Sequence, residues 1–328
     1  MGVESGEAPV LVVSRADDVT ADLVIEELNE RAVPVVRLNP ADFPGTVTVD
    51  ALLGRGLHGS LRTSTRTVEL GGVRSVYWRR PGVYAAPEGL SEQDGDWCRG
   101  QAQYGLGGIL GALPGAHYVN HPWRNRDAEY KPAQLVTAAR CGLDVPPTLM
   151  TNDAEHAREF ATQCGPVVYK PVRNTDYLGG GGRALTVWVD EVEPADITPG
   201  VARTVHLFQH RVDKVADVRL TVVGEKAFAV RVDGAPRLDW RRDYDALSYT
   251  LIETPPRVAK AVRSYLDAFG LVFAAFDFGL DRTGLWWMYE CNPNGQWAWF
   301  PDPLTRQIAV ALADQLQYQG TSLTRESA

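Results

Sequence analysis

The stretch FAAFDFGLDRTGLWWMYECNPNGQW, residues 273–297, is where the reading of this chain begins. It divides into two apolar strands, Phe273–Leu280 and Leu285–Cys291, around the turn Asp281-Arg282-Thr283-Gly284. If Leu280 pairs with Leu285, Asp277 lies opposite Met288. Side chains alternate along a strand and paired residues share a face. Asp277, Met288, Glu290 and Asn292 therefore point one way, and Cys291 points into the packing. Two carboxylates and an amide oxygen on one face suit Mg²⁺, a hard cation that prefers a few oxygens plus substrate phosphates. A solvated charged face ending in an Asn-Pro, Asn-Gly turn fits the same letters. The apolar flanks on both faces argue for shielded acids, and so for metal.

Upstream, Val205–Arg211, Val218–Val223 and Ala227–Val232 read as strands, with a tight turn at Gly224-Glu225. Pro255–Phe269 reads as a helix. Asp302 and Pro303 supply an N-cap and first position for a last helix, with Leu304, Ile308, Ala311 and Leu312 on one face. Within this lobe Phe208-Gln209-His210-Arg211 leads into Asp217-Val218-Arg219. A carboxylate and a guanidinium two residues apart on a strand share a face. The first can accept ribose hydroxyls and the second can clamp a phosphoryl group bidentately. An ordinary surface pair fits as well.

Residues 128–204 read as a second lobe. A helix over Ala128–Arg140 has Pro132 in its first turn and Gly142 at its end. Val145–Met150, a helix from Asp153 to Gln163, Pro166–Val172, a strand Ala184–Val189 and a connector Glu193–Gly200 follow. Lys170 ends a buried strand, which is costly unless the ammonium meets an anion. Gly179, Gly180, Gly181 and Gly182 follow it, and glycines let backbone N–H groups turn toward phosphate oxygens. The run is neither a GxxxxGK[ST] loop nor a GxGxxG fingerprint; a hairpin loop beside a snorkelling lysine is the plainer reading. Lys131 alone reads as a helix-surface charge.

The first ~120 residues alternate strand and helix patterns: Val10–Ser14, a helix carrying Ala21, Val24, Ile25 and Leu28, then Val33–Leu38 and shorter β pieces to Val73–Trp78. A glycine-rich helix is expected over Asp96–Leu113, and Asn120-His121-Pro122 marks a boundary.

A net charge of −8 speaks against a partner with a phosphate backbone, so no nucleic acid is expected. Four scattered cysteines form no CxxC pair, six histidines form no HExxH cluster, and no apolar run is long enough to span a bilayer. A cytoplasmic enzyme without membrane attachment is the expectation. The sequence leaves oligomeric state open, and a homodimer is compatible with it.

The order Lys131, Lys170, Gly-rich loop, hinge, Asp217-x-Arg219, Asp277, Glu290-x-Asn292 resembles the ATP-grasp superfamily over nearly the whole chain. The segments Tyr77-Trp78-Arg79-Arg80-Pro81, Asn120-His121-Pro122, Arg126 to Gln134, Asp217 to Gly224 and Glu290 to Trp297 look like the ATP-grasp ribosomal peptide maturases. These are the macrocyclases of microviridin-type omega-ester peptides, the graspetides. The resemblance implies an α/β (α+β) ATP-grasp fold: an N-terminal pre-ATP-grasp α/β domain over residues 1–122, a central lobe over 123–204 and a C-terminal lobe over 205–320. Residues 321–328 are expected as a disordered tail.

The resemblance further implies that Lys131 and Lys170 contact ATP phosphates and that Gly179–Gly182 closes over them. Gln209, His210 and Val212 would hold adenine, and Asp217 the ribose. His210 departs from the Glu that related ligases often carry in the hinge. Asp277, Glu290 and Asn292 would hold Mg²⁺, and Arg219 would clamp the transferring phosphoryl group. The implied reaction activates an Asp or Glu side chain of a ribosomal precursor peptide as an acyl phosphate, with ADP released. A Ser, Thr or Lys side chain of the same peptide then closes an ester or amide, with no enzyme nucleophile required. Arg79, Arg80, Trp240 and Arg241 are candidates for an acidic core peptide. Arg231 is a further substrate candidate and ranks below Arg219 as the phosphoryl clamp, because a two-residue turn puts it on the face opposite Arg219. Asp190 and Glu191 are candidates for the leader segment. A ligase adding amino acids to a peptide or small acceptor, and an ATP-binding regulatory protein without turnover, are the alternatives.

Overall fold

Strand β1, Val10–Val13, is buried throughout and its alternate residues enter two different cores. The computed structural model describes residues 7–173, 177–178, 180, 184–235, 238–242 and 244–317. Helix α1 (Val19–Glu30) follows, capped by Asp18, whose carboxylate accepts from the backbone N–H of Thr20 and Ala21. Strand β2 is Val35–Leu38. Strands β3 (Thr48–Leu53), β4 (Leu57–Arg62) and β5 (Thr67–Glu69) form a small antiparallel sheet. Strand β6 (Ser75–Trp78), helix α2 (Glu92–Leu110) and strand β7 (His117–Val119) complete the first domain.

These four long-range strands make a parallel sheet in the order β2-β1-β6-β7. A parallel sheet needs cover on both faces. Leu11 and Val13 pack with α2 and the small sheet. Val10 and Val12 pack with α1 and with residues almost 300 positions away, including Trp297, Ile308 and Leu312. The glycine-rich helix starts earlier than Asp96, because Ser91 caps it by accepting from Asp94 N at 3.2 Å.

The helix expected over 128–140 starts at Lys131 as α4 (Lys131–Cys141) and ends at Gly142 with φ 92°, while Ala128 closes a separate helix, α3 (Pro122–Ala128). Both pack on the third lobe: Ala128 and Ala138 share a core with Phe276, Met288 and Cys291. The central lobe has its own core. Strands β8 (Thr148–Thr151), β9 (Val167–Lys170), a short pair β10 (Tyr177–Leu178) and β11 (Ala184–Leu185), β12 (Asp190–Val192) and β13 (His206–His210) accompany helix α5 (Ala154–Cys164). Its main sheet runs β12-β9-β13-β8, all antiparallel. The expected strand Ala184–Val189 stops at Leu185, and the edge strand lies instead in the acidic stretch after it.

The third lobe is a five-stranded antiparallel sheet. Its strands are β14 (Lys214–Val223), β15 (Lys226–Asp233), β16 (Ser248–Ile252), β17 (Phe273–Asp281) and β18 (Trp286–Asn292), in the order β16-β15-β14-β17-β18. Val218, Leu220, Phe276 and Phe278 pack against α4 and α6 (Pro256–Phe269); Val230 and Ala275 face α7 (Asp302–Gln317) and the first domain. Among the described residues no helix is long and apolar enough to cross a membrane.

Candidate active site

The polar face of the third-lobe sheet is assembled by register. Arg219 on β14 pairs with Asp277 on β17, and Asp277 pairs with Glu290 on β18. The hairpin register differs from the one expected. Leu280 pairs with Trp286, not Leu285, and Phe278 with Met288; a bulge between Phe278 and Asp277 then leaves Tyr289 extra. A one-residue slip alone would turn every side chain over, but the bulge restores the parity, so Asp277 and Glu290 still share a face.

Asn292 completes the cluster: its Nδ2 lies 3.4 Å from Asp277 Oδ2 and 3.3 Å from Glu290 Oε1. Amide oxygen and nitrogen are assigned from the hydrogen-bond network, and the opposite rotamer presents Oδ1 to the same point. Cations surround the acids. Arg219 Nη1 donates to Asp277 Oδ1 at 2.8 Å, Lys131 Nζ to Glu290 Oε2, and Arg241 Nη1 lies 3.5 Å from Glu290 Oε1. Burial pushes the Asp277 carboxyl above its ordinary range, with the Arg219 guanidinium opposing. Burial acts the same way on Glu290, but Lys131, Arg241 and Lys170 outweigh it and hold that carboxyl well below the usual range.

Across the cleft, Lys170 at the end of β9 lies 4.8 Å from the centre of the Tyr289 ring and donates to Gln209 Oε1 at 3.3 Å. Burial lowers its ammonium to about 8, Glu290 opposing and Lys131 and Arg241 adding. The cleft between the central and C-terminal sheets is thus walled by Lys170, Gln209, Val212, Asp217, Asp277 and Glu290. Lys131 and Trp188 line its continuation. Asp217 is gripped by Lys214 Nζ at 2.6 and 2.7 Å, yet burial still lifts its carboxyl to about 6. Gln209 also donates to Thr148 Oγ1 at 2.8 Å. His210 Nδ1 lies 2.9 Å from Cys164 O, so Nδ1 carries the proton and the ring is tied to the end of α5.

Other sequence-derived candidates are placed differently. Arg79, a candidate for substrate contact, is only 1% exposed and donates instead to Asn294 O and Gln296 Oε1. Arg231 pairs with Val218 in the ladder, on the face away from Arg219, and forms a fork with Asp233 at 2.8 Å. It therefore does not join the cluster. Trp240 is buried with its ring 4.9 Å from Trp299, whereas Arg241 reaches the site from the same turn, braced by Asp239 at 2.8 and 3.1 Å. Arg80 is exposed; burial of part of its chain, then Arg79, Arg15 and Arg219 nearby, lower its pKa. Asp190 and Glu191 are exposed on the edge strand β12, 3.7 Å from Arg242 and 2.9 Å from Arg211. Gly180 is exposed; Gly179, Gly181 and Gly182 lie outside the described residues.

The sequence assigns no role to several members. Gln134 on α4 exchanges two hydrogen bonds with Cys291, from Nε2 to O at 2.8 Å and from Cys291 N to Oε1 at 3.1 Å. It completes the outer edge of β18 between Glu290 and Asn292. Asn120 donates to Phe273 O and Pro293 O at 2.8 and 3.0 Å and accepts from the N–H of Val272 and Phe273. Tyr289 likewise acquires its role only through a distant contact, with Lys170, whereas Lys214 and Asp239 act on near neighbours, Asp217 and Arg241.

Residues 9–126 match the family model described as the MvdD pre-ATP grasp domain. A search of curated protein sequences finds no match. Among solved structures, a RiPP-associated ATP-grasp ligase from Chryseobacterium gregarium, in complex with ADP and a leader and core peptide, is 22% identical with a TM-score of 0.86, over 94% of this chain and 96% of that one. Macrocyclase MdnC of Microcystis aeruginosa MRC, bound with precursor peptide MdnA, is 24% identical with a TM-score of 0.84, over 94% and 98% of the two chains. MdnB, a macrocyclase from the same source, is 25% identical with a TM-score of 0.79, over 94% and 99%. The chain carries an MvdD-type pre-ATP-grasp domain and has the fold of the RiPP-associated ATP-grasp ligases and macrocyclases.

Proposed function

We propose that this protein is an ATP-dependent carboxylate ligase that crosslinks a ribosomal precursor peptide within itself. The observation that carries the reading is the convergence of Asp277, Glu290, Asn292 and Arg219 on one buried sheet face, with Lys131 beside Glu290 and Lys170 across the cleft. The donor set fits Mg²⁺: two carboxylates and an amide meet at one point, with hard oxygen chemistry and no soft ligand. When bound there, Mg²⁺ would neutralise charge on the terminal phosphates of ATP.

The chain's own side chains do the rest. Lys131 and Lys170 exchange their present partners for phosphate oxygens, and Arg219 holds the transferring phosphoryl group with a planar fork. Gln209 to Val212 border the adenine and Asp217 the ribose. A peptide Asp or Glu carboxylate attacks the γ-phosphorus, giving an acyl phosphate and ADP. A Ser or Thr hydroxyl, or a Lys amine, then attacks the acyl carbon and phosphate leaves. Arg80 and Arg241 are placed to meet an acidic core peptide, and the edge strand with Asp190 and Glu191 to meet its leader. Positioning and charge neutralisation supply the rate.

The test is product analysis with MgATP and a short acidic, Ser/Thr-rich peptide encoded beside the gene. ADP, phosphate and a peptide that has lost one water per ring are expected. AMP would overturn the acyl-phosphate route. A gain of peptide mass would mean ligation of free amino acids, and no nucleotide turnover a regulatory protein.

A further inference from the structure

We propose that Arg79, from the first domain, is a positioning residue for Arg219 of the third lobe, acting through residues 293–296. This rests on the reading of Arg219 as the phosphoryl clamp. The two arginines share a loop. Arg79 enters it from one side, with Nη1 donating to Asn294 O and Nη2 to Gln296 Oε1. Arg219 enters from the other, with Nη2 donating to Gln296 O at 3.1 Å while Nη1 holds Asp277. Gln296 is therefore gripped at its side chain by one arginine and at its backbone by the other.

The loop has little freedom to compensate. Thr20 Oγ1 donates to Gln296 Oε1 at 2.5 Å, and Asn120 fixes Pro293 O at 3.0 Å, both from the first domain. Trp297, wholly buried, anchors the far end. At Gly295 an added Cβ would stand 2.6 Å from Arg219 Nη2 and against Ala275, so the backbone lies directly on the guanidinium. Only a glycine permits that approach. A shift of this segment must therefore rotate the Arg219 fork, and a fork that is rotated loses bidentate contact. Among the described residues Arg79 is the first domain's one buried cation donating to the segment, and Asp18, 3.6 Å from its Nε, holds Arg79 in turn.

The experiment compares MgAMPPNP with MgADP binding by calorimetry for the wild type, Arg79→Lys and Gln296→Ala, with Tm recorded for each. Lysine keeps the charge but loses the two-pronged grip; alanine keeps the backbone oxygen that Arg219 uses but removes the group Arg79 holds. Both variants are expected to bind MgADP like the wild type, while the ratio of MgAMPPNP to MgADP affinity falls about tenfold, the size of one lost charged hydrogen bond. The double variant should be no worse than the worse single one. Should Arg79→Lys fail to fold, Gln296→Ala alone decides. An unchanged ratio, an equal weakening of both nucleotides that follows Tm, or additive losses would overturn the inference. No binding of either nucleotide by the wild type would overturn the ATP reading, and this inference with it.

Discussion

Glu290 meets Lys131 and Arg241 directly and lies within the field of Lys170. A carboxylate so surrounded keeps its charge at every pH the enzyme meets, which a metal ligand needs. Glu290→Gln preserves shape and removes that charge. Turnover should fall by more than about a hundredfold, with the circular dichroism unchanged. Near-wild-type rates with ordinary Mg²⁺ dependence would make the cluster a structural face. Lys170 carries a second expectation. Its folded pKa near 8 lies below its unfolded value, so the penalty on its charge is fully present below about 8 and is relieved as pH rises from there toward about 10.5. Stability attributable to Lys170 therefore rises across that window. Phosphate oxygens reverse the shift, so MgATP binding at about pH 8 should take up protons. Calorimetry in two buffers of different ionisation enthalpy measures this, and zero uptake would remove Lys170 from the phosphates.

At the scale of elements, the hairpin shows what the sequence can and cannot disclose. Its two strands and its turn were legible from apolar runs and from Asp281 to Gly284. The register was not. Asp281 closes the turn by donating its N–H to Leu285 O, and its Oδ1 accepts from Thr283 N and Leu285 N, which moves the first full pair to Leu280–Trp286. The Tyr289 bulge then undoes the slip, and no alternation pattern announces a bulge inside a run as uniformly apolar as WWMY. The shared face of Asp277 and Glu290 was thus read correctly on a pairing that does not occur. Gln134 ends one of the segments that carry the family resemblance, but its role was not legible: a buried amide on a helix gives no hint that it will mimic a neighbouring strand. Because it satisfies both backbone groups of Cys291, Gln134→Leu should cost about 2–4 kcal/mol in urea unfolding. A loss under about 0.5 kcal/mol would mean that β18 closes its own edge.

Over the whole molecule, the cores do not follow chain order. The first domain and the C-terminal sheet share one continuous core, from Val10 and Val24 to Trp297 and Leu312, and α4 adds itself to the opposite face of that sheet. The central lobe keeps a separate, smaller core around Ala157, Val167, Ile197 and Phe208. The cleft lies between these two bodies, with Lys170 and Gln209 from the smaller and Asp277 and Glu290 from the larger. A lobe with few buried apolar contacts and an independent core opens at lower free energy than the body it faces. A nucleotide bridging the two stabilises the weaker one most, since the mass-action gain acts on whichever opening breaks the site. Hydrogen exchange with MgAMPPNP should therefore slow chiefly in β8, β9, β13 and α5, with little change in β1, β6 and α7. Equal slowing everywhere would show one cooperative unit. Protection confined to the first domain would place the nucleotide outside the cleft.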